Sequence, residues 1–244
     1  MPEPLPSSVP EVIARLRALE ASRSRSDGVV CFARLYREVT EGVASELGAN
    51  AFASSTFLAR LDVCFAGLFF AALDEYQRAP KSAPRAWAPL FADRARKGIA
   101  PLQFALAGMN AHINRDLPVA LVTTCRELGI DLRDAAPEHA DFNRVNSLLA
   151  TVETRVKRAY ATGWLGLADR LVHRVHRLDD VVAMWDVERA RAAAWTNGLA
   201  LWELRDDPGL AAEFLQTLDR MVGLGSRGLM VPADSTLQKL GRLF

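Results

Sequence analysis

The chain has 244 residues, of which 50% are hydrophobic and 24% charged, and its formal net charge is +1. This length and composition are typical of one globular domain with a sizeable core. Because nucleic acids and anionic membranes require a dense positive surface, the balanced charge argues against either as the main partner.

The N-terminal residues 1–7 are rich in proline and predict a flexible segment ahead of a single helical domain over residues 8–244. They lack the basic start and the apolar run of a secretory signal. The three cysteines of the chain, Cys31, Cys64 and Cys125, are odd in number and far apart, which is typical of a reducing compartment. We therefore expect a cytoplasmic protein.

Apolar residues recur at helical spacing along most of the chain, and no convincing strand alternation interrupts them. The pattern predicts an all-α, single-domain bundle of about eight helices. The predicted helices cover residues 8–22, 29–47, 55–78, a short segment before Gly98, then 101–128, 138–177, 180–205 and 209–224. The most apolar run, residues 63–73, is shorter than the roughly 20 residues that span a bilayer, so it predicts a buried core helix and no membrane span.

The third predicted helix carries a carboxylate on its most apolar face, because Asp62 shares a helical stripe with Phe65 and Phe69. A carboxylate there needs a metal ion, an arginine or a hydrogen-bond donor, since an isolated one would be protonated. Arg189 lies on an apolar stripe of a later helix. A buried ion pair of Arg189 with Asp62 or with Asp116 is slightly favoured over Asp62 as a metal ligand.

The fifth predicted helix holds the most unusual pattern. His112 and Asp116 are four residues apart and share one face, among apolar and small residues. Gly108, one turn earlier, predicts open space of the kind that a pocket needs. Pro118 has no N–H to donate and predicts a kink. The pair is suited to metal binding or to acid/base chemistry. An equally favoured interpretation is a buried polar network in which Asp116 pairs with Arg115 or orients His112.

Other residues complete the candidate site. Asp141 and Asn146 lie near the start of the next long helix, where Asp141 is alternatively a helix cap. The predicted catalytic residues are His112, Asp116 and Asp62. The predicted substrate-binding residues are Arg115, Arg189, Asn146, Trp87 and Trp185. The predicted metal ligands are His112, Asp116, Asp62 and Asp141.

The segment Gly-Met-Asn-Ala-His-Ile-Asn-Arg-Asp-Leu-Pro at residues 108–118 resembles a bacterial family known as a domain of unknown function. The resemblance extends to residues 61–66, Trp87, Asp141, the Val-Asn pair at 145–146 and residues 190–195, and it implies no reaction. A looser similarity is to the helical zinc-dependent phospholipase C and P1-type nuclease group, in which His-x-x-x-Asp pairs bind zinc. That group uses several histidines and the chain N-terminus, whereas this sequence has four histidines, so at most one or two metals in a carboxylate-rich site are expected.

These patterns predict an enzyme that acts on a small, partly apolar molecule. With a divalent metal, such as zinc, iron, manganese or magnesium, hydrolysis is the first expectation. Without a metal, His112 would be a general base oriented by Asp116, as in an isomerase or cyclase. Arg115 or Arg189 would hold an anionic group of the substrate. The alternative is a non-catalytic ligand-binding or interaction module, and the sequence predicts no oligomeric state.

Overall fold

The computed structural model of the protein describes residues 4–49, 51–161 and 186–232, and no β-strand occurs among them. The helices are α1 (Val9–Ala21), α2 (Gly28–Gly48), α3 (Ser55–Arg78), α4 (Ala88–Asp93), α5 (Pro101–Ala111), α6 (Leu117–Leu128), α7 (Ala136–Ala161), α8 (Val187–Glu203) and α9 (Pro208–Leu229). A π-helical segment, His112–Asp116, joins α5 to α6. The predicted all-α, single-domain bundle is confirmed.

This π-helical segment interrupts the fifth predicted helix, residues 101–128, just before Pro118. Pro118 lies in the first turn of α6 and has no N–H to donate to a carbonyl of the preceding turn. The backbone N–H of Leu117, the residue before it, reaches back five residues to the carbonyl of His112. The widened turn therefore lies immediately before the proline, and it contains both His112 and Asp116. Such π-helical turns occur frequently at functional sites.

Helix α8 begins later than predicted. Its N-cap is Asp186, whose side chain accepts a hydrogen bond from the backbone N–H of Arg189 at 2.9 Å. The helix therefore starts at Val187 rather than near residue 180, and Arg189 lies in its first turn. The predicted residues 180–185 lie outside the described part of the chain.

The core consists of two clusters of buried apolar side chains. The first is built around α1, α2 and α3 and includes Phe32 and Phe69. The second is built around α6, α7 and α8 and includes Leu121 and Phe142. Phe65 packs against both clusters, as do Met109 and Leu47. The two clusters consequently meet along a seam between α2, α3 and α5.

Helices α2 and α5 approach each other closely through two reciprocal contacts. The ring of Phe104 in α5 covers Gly28 of α2, and the ring of Phe32 in α2 covers Gly108 of α5. A Cβ at either glycine would overlap the facing ring. The prediction of open space at Gly108 is therefore wrong, because a side chain from the neighbouring helix fills that space.

Helix α3 is, by length and composition alone, long and apolar enough to cross a membrane. Half of its most apolar window is buried inside the protein, where Ala66, Phe69 and Phe70 belong to the first core cluster. The core helices of soluble proteins pass the same test, so this single helix is weak evidence for a span.

Candidate functional site

His112 and Asp116 form a buried imidazole–carboxylate pair. Nδ1 of His112 lies 3.2 Å from Oδ2 of Asp116, and the two side chains are 3% and 0% exposed. The same Oδ2 accepts a hydrogen bond from the indole Nε1 of Trp87 at 2.9 Å. Oδ1 accepts one from Nη1 of Arg115 at 2.8 Å. Three donors, one of them the guanidinium of Arg115, therefore surround the side chain of Asp116, which in turn orients His112.

The carboxylate determines which nitrogen of His112 carries the proton. Because Asp116 is an acceptor, the proton of the neutral ring lies on Nδ1, and Nε2 keeps its lone pair. Burial lowers the pKa of His112, although the hydrogen bond and the charge of Asp116 oppose this effect. The imidazole is therefore neutral at physiological pH, and no described residue makes a hydrogen bond to Nε2.

Aromatic rings surround the imidazole. The ring of Phe65 is stacked on it with an interplanar angle of 4° and centroids 3.4 Å apart. Tyr36 and Phe32 present their rings edge-on, with centroid distances of 4.6 and 5.6 Å. These contacts fix the ring orientation and exclude water from its faces, which is the physical origin of the lowered pKa.

A second layer of contacts supports Arg115 and Trp87 from helix α9. Nε of Arg115 lies 3.7 Å from Oδ1 of Asp219. Asp219 also accepts hydrogen bonds from the backbone N–H groups of Arg85 and Ala86, at 2.8 and 3.1 Å. Asp219 thereby holds the loop that delivers the Trp87 indole to the site. Sequence reasoning missed Asp219, because nothing local distinguishes it from other polar residues of an amphipathic helix.

A partly open cavity of about 80 Å³ lies beside His112, on the seam between the two core clusters. Twelve of the sixteen described residues that line it are apolar, and the other four are Tyr36, Asp62, His112 and Arg191. The apolar lining residues are Phe32, Leu35, Val39, Val43, Leu58, Leu61, Phe65, Met109, Ile113, Leu117, Val145 and Leu149. A mostly hydrocarbon surface with a few convergent polar groups is typical of a small-molecule site.

Three polar atoms of residues that line this cavity are buried and have no hydrogen-bond partner among the described residues. They are Nε2 of His112, Oη of Tyr36 and Oδ2 of Asp62. Buried polar atoms are nearly always paired, so three unpaired ones around one cavity require an explanation. A molecule bound in the cavity would supply their missing partners.

Asp62 has no ion pair among the described residues, and burial raises the pKa of its carboxyl group to about 7. The predicted pairs of Arg189 with Asp62 and with Asp116 are both wrong. Arg189 is 88% exposed and its Nε lies 3.1 Å from Oδ2 of Asp186. Because α8 begins at its Asp186 cap, the first turn of this helix places Arg189 on the surface.

The buried arginine of α8 is Arg191, which is 7% exposed. Its Nε donates to Oδ1 of Asn146 at 2.7 Å and its Nη2 to the carbonyl of Phe142 at 2.6 Å. The guanidinium carbon lies 3.9 Å from the centroid of the Phe142 ring. Burial lowers the pKa of Arg191 to about 9. Its position among small apolar residues at 190–195 was the one signal by which the sequence could have identified it.

The other predicted site residues have structural partners. Trp87 binds Asp116 and does not line the cavity, and Asn146 orients Arg191. Asp141 accepts a hydrogen bond from the backbone N–H of Ser54, the residue before α3. Trp185 lies outside the described residues.

The donor atoms do not fit the predicted metal site well. Within the described ranges, no three His, Cys, Asp or Glu side chains are grouped so that they could hold a metal ion. Both oxygens of Asp116 already accept hydrogen bonds, and Asp141 is bound to Ser54. Only Nε2 of His112 and the carboxyl group of Asp62 would be available to a ligand.

Comparison with known proteins places the chain in a family without assigning an activity. No curated protein and no solved structure matches it. A sequence model described as Family of unknown function (DUF5995) matches residues 9–232. Since this match covers most of the 244 residues, the chain belongs to the DUF5995 family of unknown function.

Proposed function

We propose that the protein is an enzyme that transfers protons on a small, mostly apolar molecule bound beside His112. One observation carries this proposal: three residues that line the same cavity, His112, Tyr36 and Asp62, each bury a polar atom that has no hydrogen-bond partner in the described part of the chain. Unpaired polar atoms cost free energy in a folded protein, and catalytic sites are where such costs are retained.

The protonation states suit acid/base catalysis near neutral pH. Burial shifts the pKa of His112 downward and that of Asp62 upward, to about 7. Groups whose environments move their pKa values in opposite directions can divide the roles of base and acid between them. His112 is then a neutral base, and Asp62 retains a proton in a substantial fraction of molecules.

The proposed step begins at Nε2 of His112, which removes a proton from a carbon next to a carbonyl group. Asp116 stabilises the imidazolium that forms, through its contact with Nδ1. Asp62 donates its proton to the carbonyl oxygen, and the Tyr36 hydroxyl donates a hydrogen bond to that oxygen. In a substrate with a C=C bond next to the reacting carbon, His112 returns its proton to the far carbon of that bond while the enol O–H returns its proton to Asp62, which re-forms the carbonyl group and gives an isomerisation.

Metal-dependent hydrolysis has less support than proton transfer does. This includes the activity implied by the similarity to zinc-dependent phospholipases and nucleases. A zinc ion held by His112 and Asp116 would have to displace Trp87 or Arg115 from the carboxylate. A cytoplasmic setting remains part of our proposal and rests on three unpaired cysteines.

Hydrogen–deuterium exchange of cyclohexanone in D₂O, followed by proton NMR, tests the proposal. We expect the wild-type protein to accelerate exchange at the carbons beside the carbonyl, and His112→Gln to lose at least about tenfold of this rate. His139→Gln is the matched control, because His139 is partly exposed and stacked on Trp195, away from the cavity. Equal rates for His112→Gln and wild type would contradict the proposal.

A non-catalytic binding module is the second candidate, and the predominantly apolar lining of the cavity favours it. Such a module would bind cyclohexanone without accelerating exchange. Calorimetric titration beside the exchange assay separates the two functions, since binding and turnover are measured on the same compound.

A further inference from the structure

Arg191 brings a positive charge to the cavity that no described residue neutralises. It is 7% exposed, and the part of the chain that the structure describes offers it no carboxylate partner. Its two hydrogen bonds run to neutral acceptors, the side chain of Asn146 and the carbonyl of Phe142. A buried charge without a counter-ion is costly, and a bound anion would remove most of that cost.

These neutral contacts fix the guanidinium without using all of its donors. Nε and Nη2 are engaged, whereas Nη1 makes no hydrogen bond to a described residue. A planar, pre-oriented arginine with a free N–H edge matches the geometry of a carboxylate group. Phe142 stacks on one face of the guanidinium and restricts its rotation.

The cavity also limits the size of the ligand. A cavity of about 80 Å³ is larger than the roughly 10–15 Å³ needed for one water molecule, but it is still small. Leu117, Val145 and Leu149 are among the hydrocarbon side chains of its lining. The fitting molecule is thus short and largely hydrocarbon.

From these features we infer that the cavity selects small organic monoanions, namely short carboxylic acids with an apolar body, and that Arg191 binds the carboxylate. This inference deepens the proposed function and rests on it in one respect, since both place the ligand in the same cavity. The carboxylate of the ligand would bind Arg191, and a carbonyl group elsewhere on the same molecule would reach His112. A cationic ligand would be repelled by Arg191. An uncharged ligand of the same size would leave the arginine unneutralised.

Calorimetric titration with hexanoate, hexan-1-ol and hexylamine tests the inference on the wild-type protein. We expect hexanoate to bind at least about tenfold more tightly than hexan-1-ol, and hexylamine to bind most weakly. Failure of hexanoate to bind, or equal binding of hexanoate and hexan-1-ol, would overturn the inference. This comparison needs no variant and is independent of any folding defect.

Substitution assigns the effect to one side chain. Arg191→Met should lower the hexanoate affinity at least about tenfold and leave that of hexan-1-ol unchanged. Arg189→Met is the matched control, because it removes the same charge two residues away on the surface of the same helix. Retention of hexanoate affinity in Arg191→Met, or its loss in Arg189→Met, would contradict the assignment.

The outcome can be separated from that of the proposed function. Hexanoate binding that depends on Arg191, without cyclohexanone exchange, would support the anion site and contradict the enzyme. Exchange that depends on His112, without preference for hexanoate, would support the enzyme and overturn the anion site.

Discussion

The indole N–H of Trp87 donates a 2.9 Å hydrogen bond to the buried carboxylate of Asp116. The tryptophan comes from the loop before α4 and the aspartate from the π-helical segment, so the bond joins elements 29 residues apart in sequence. The same carboxylate oxygen contacts His112. Trp87 is therefore a positioning residue of the proposed base, and its contribution is measurable apart from any activity.

Replacement of this indole should destabilise the protein. Trp87→Phe keeps an aromatic ring but removes a hydrogen bond to a charged group, for which we expect a loss of about 1.5–3 kcal/mol in the free energy of unfolding. Trp202→Phe is a matched control, because its indole donates to Asp131, which is partly exposed and can bind water instead. Urea denaturation measures both, and an equal loss in the two variants would contradict the special role of Trp87.

Removal of the negative charge at position 116 should affect both folding and exchange. Asp116→Asn removes one of the two carboxylates that Arg115 contacts and leaves Asp219, so we expect a loss below the roughly 3–5 kcal/mol that breaking an isolated buried pair costs. The amide can also present its NH₂ group to His112 and reverse the ring tautomer, so cyclohexanone exchange should fall by at least about tenfold. Chemical denaturation and the exchange assay check these effects. A stable Asp116→Asn protein with the wild-type exchange rate would refute the orienting role.

The carboxyl group of Asp62 should make stability depend on pH. Its pKa in the folded protein is raised from 3.8 to about 7, so the folded state holds this proton more tightly than the unfolded state does. The stabilisation from this proton is complete below pH 3.8 and is lost as the pH rises to about 7. His112 acts in the opposite sense, because its lowered pKa removes stability as the pH falls below 6.5.

Comparison of wild type with Asp62→Asn separates these two effects. The amide of the variant does not ionise. As the pH rises from about 4 to about 8, the unfolding free energy of the wild-type protein should therefore fall relative to that of Asp62→Asn. Denaturant titrations across this range measure the difference. A difference that stays constant with pH would mean that Asp62 has an ordinary pKa.

Two glycines of the bundle should respond oppositely to the same substitution. Gly108→Ala would force the ring of Phe32 to move within the core, at a cost of about 1–3 kcal/mol. Gly42→Ala, in α2, meets no atom of a described residue within 4 Å and should stabilise the helix by about 0.5–1 kcal/mol. Thermal or urea unfolding checks both signs, and a neutral Gly108→Ala would contradict the close contact of α2 with α5.

Much of the helical structure could be predicted from the sequence because its signals are local. The third helix begins and ends at the predicted residues, since its apolar periodicity is strong and Pro80 follows closely. The contact of His112 with Asp116 follows from a spacing of four residues on one helical surface. The unusual environment of Asp62 is likewise visible in the apolar stripe to which it belongs.

The sequence by itself determined the helical elements, the His112–Asp116 pair and the burial of a carboxylate at position 62, because each depends on spacing within one helix. Only the tertiary structure decided that Arg191 rather than Arg189 is buried, and that Phe32 fills the space at Gly108. It also decided that Tyr36, Asp62 and His112 line one cavity. The physical reason is that these relationships depend on how close separate helices pack and where each helix begins, which no periodicity within a single helix specifies.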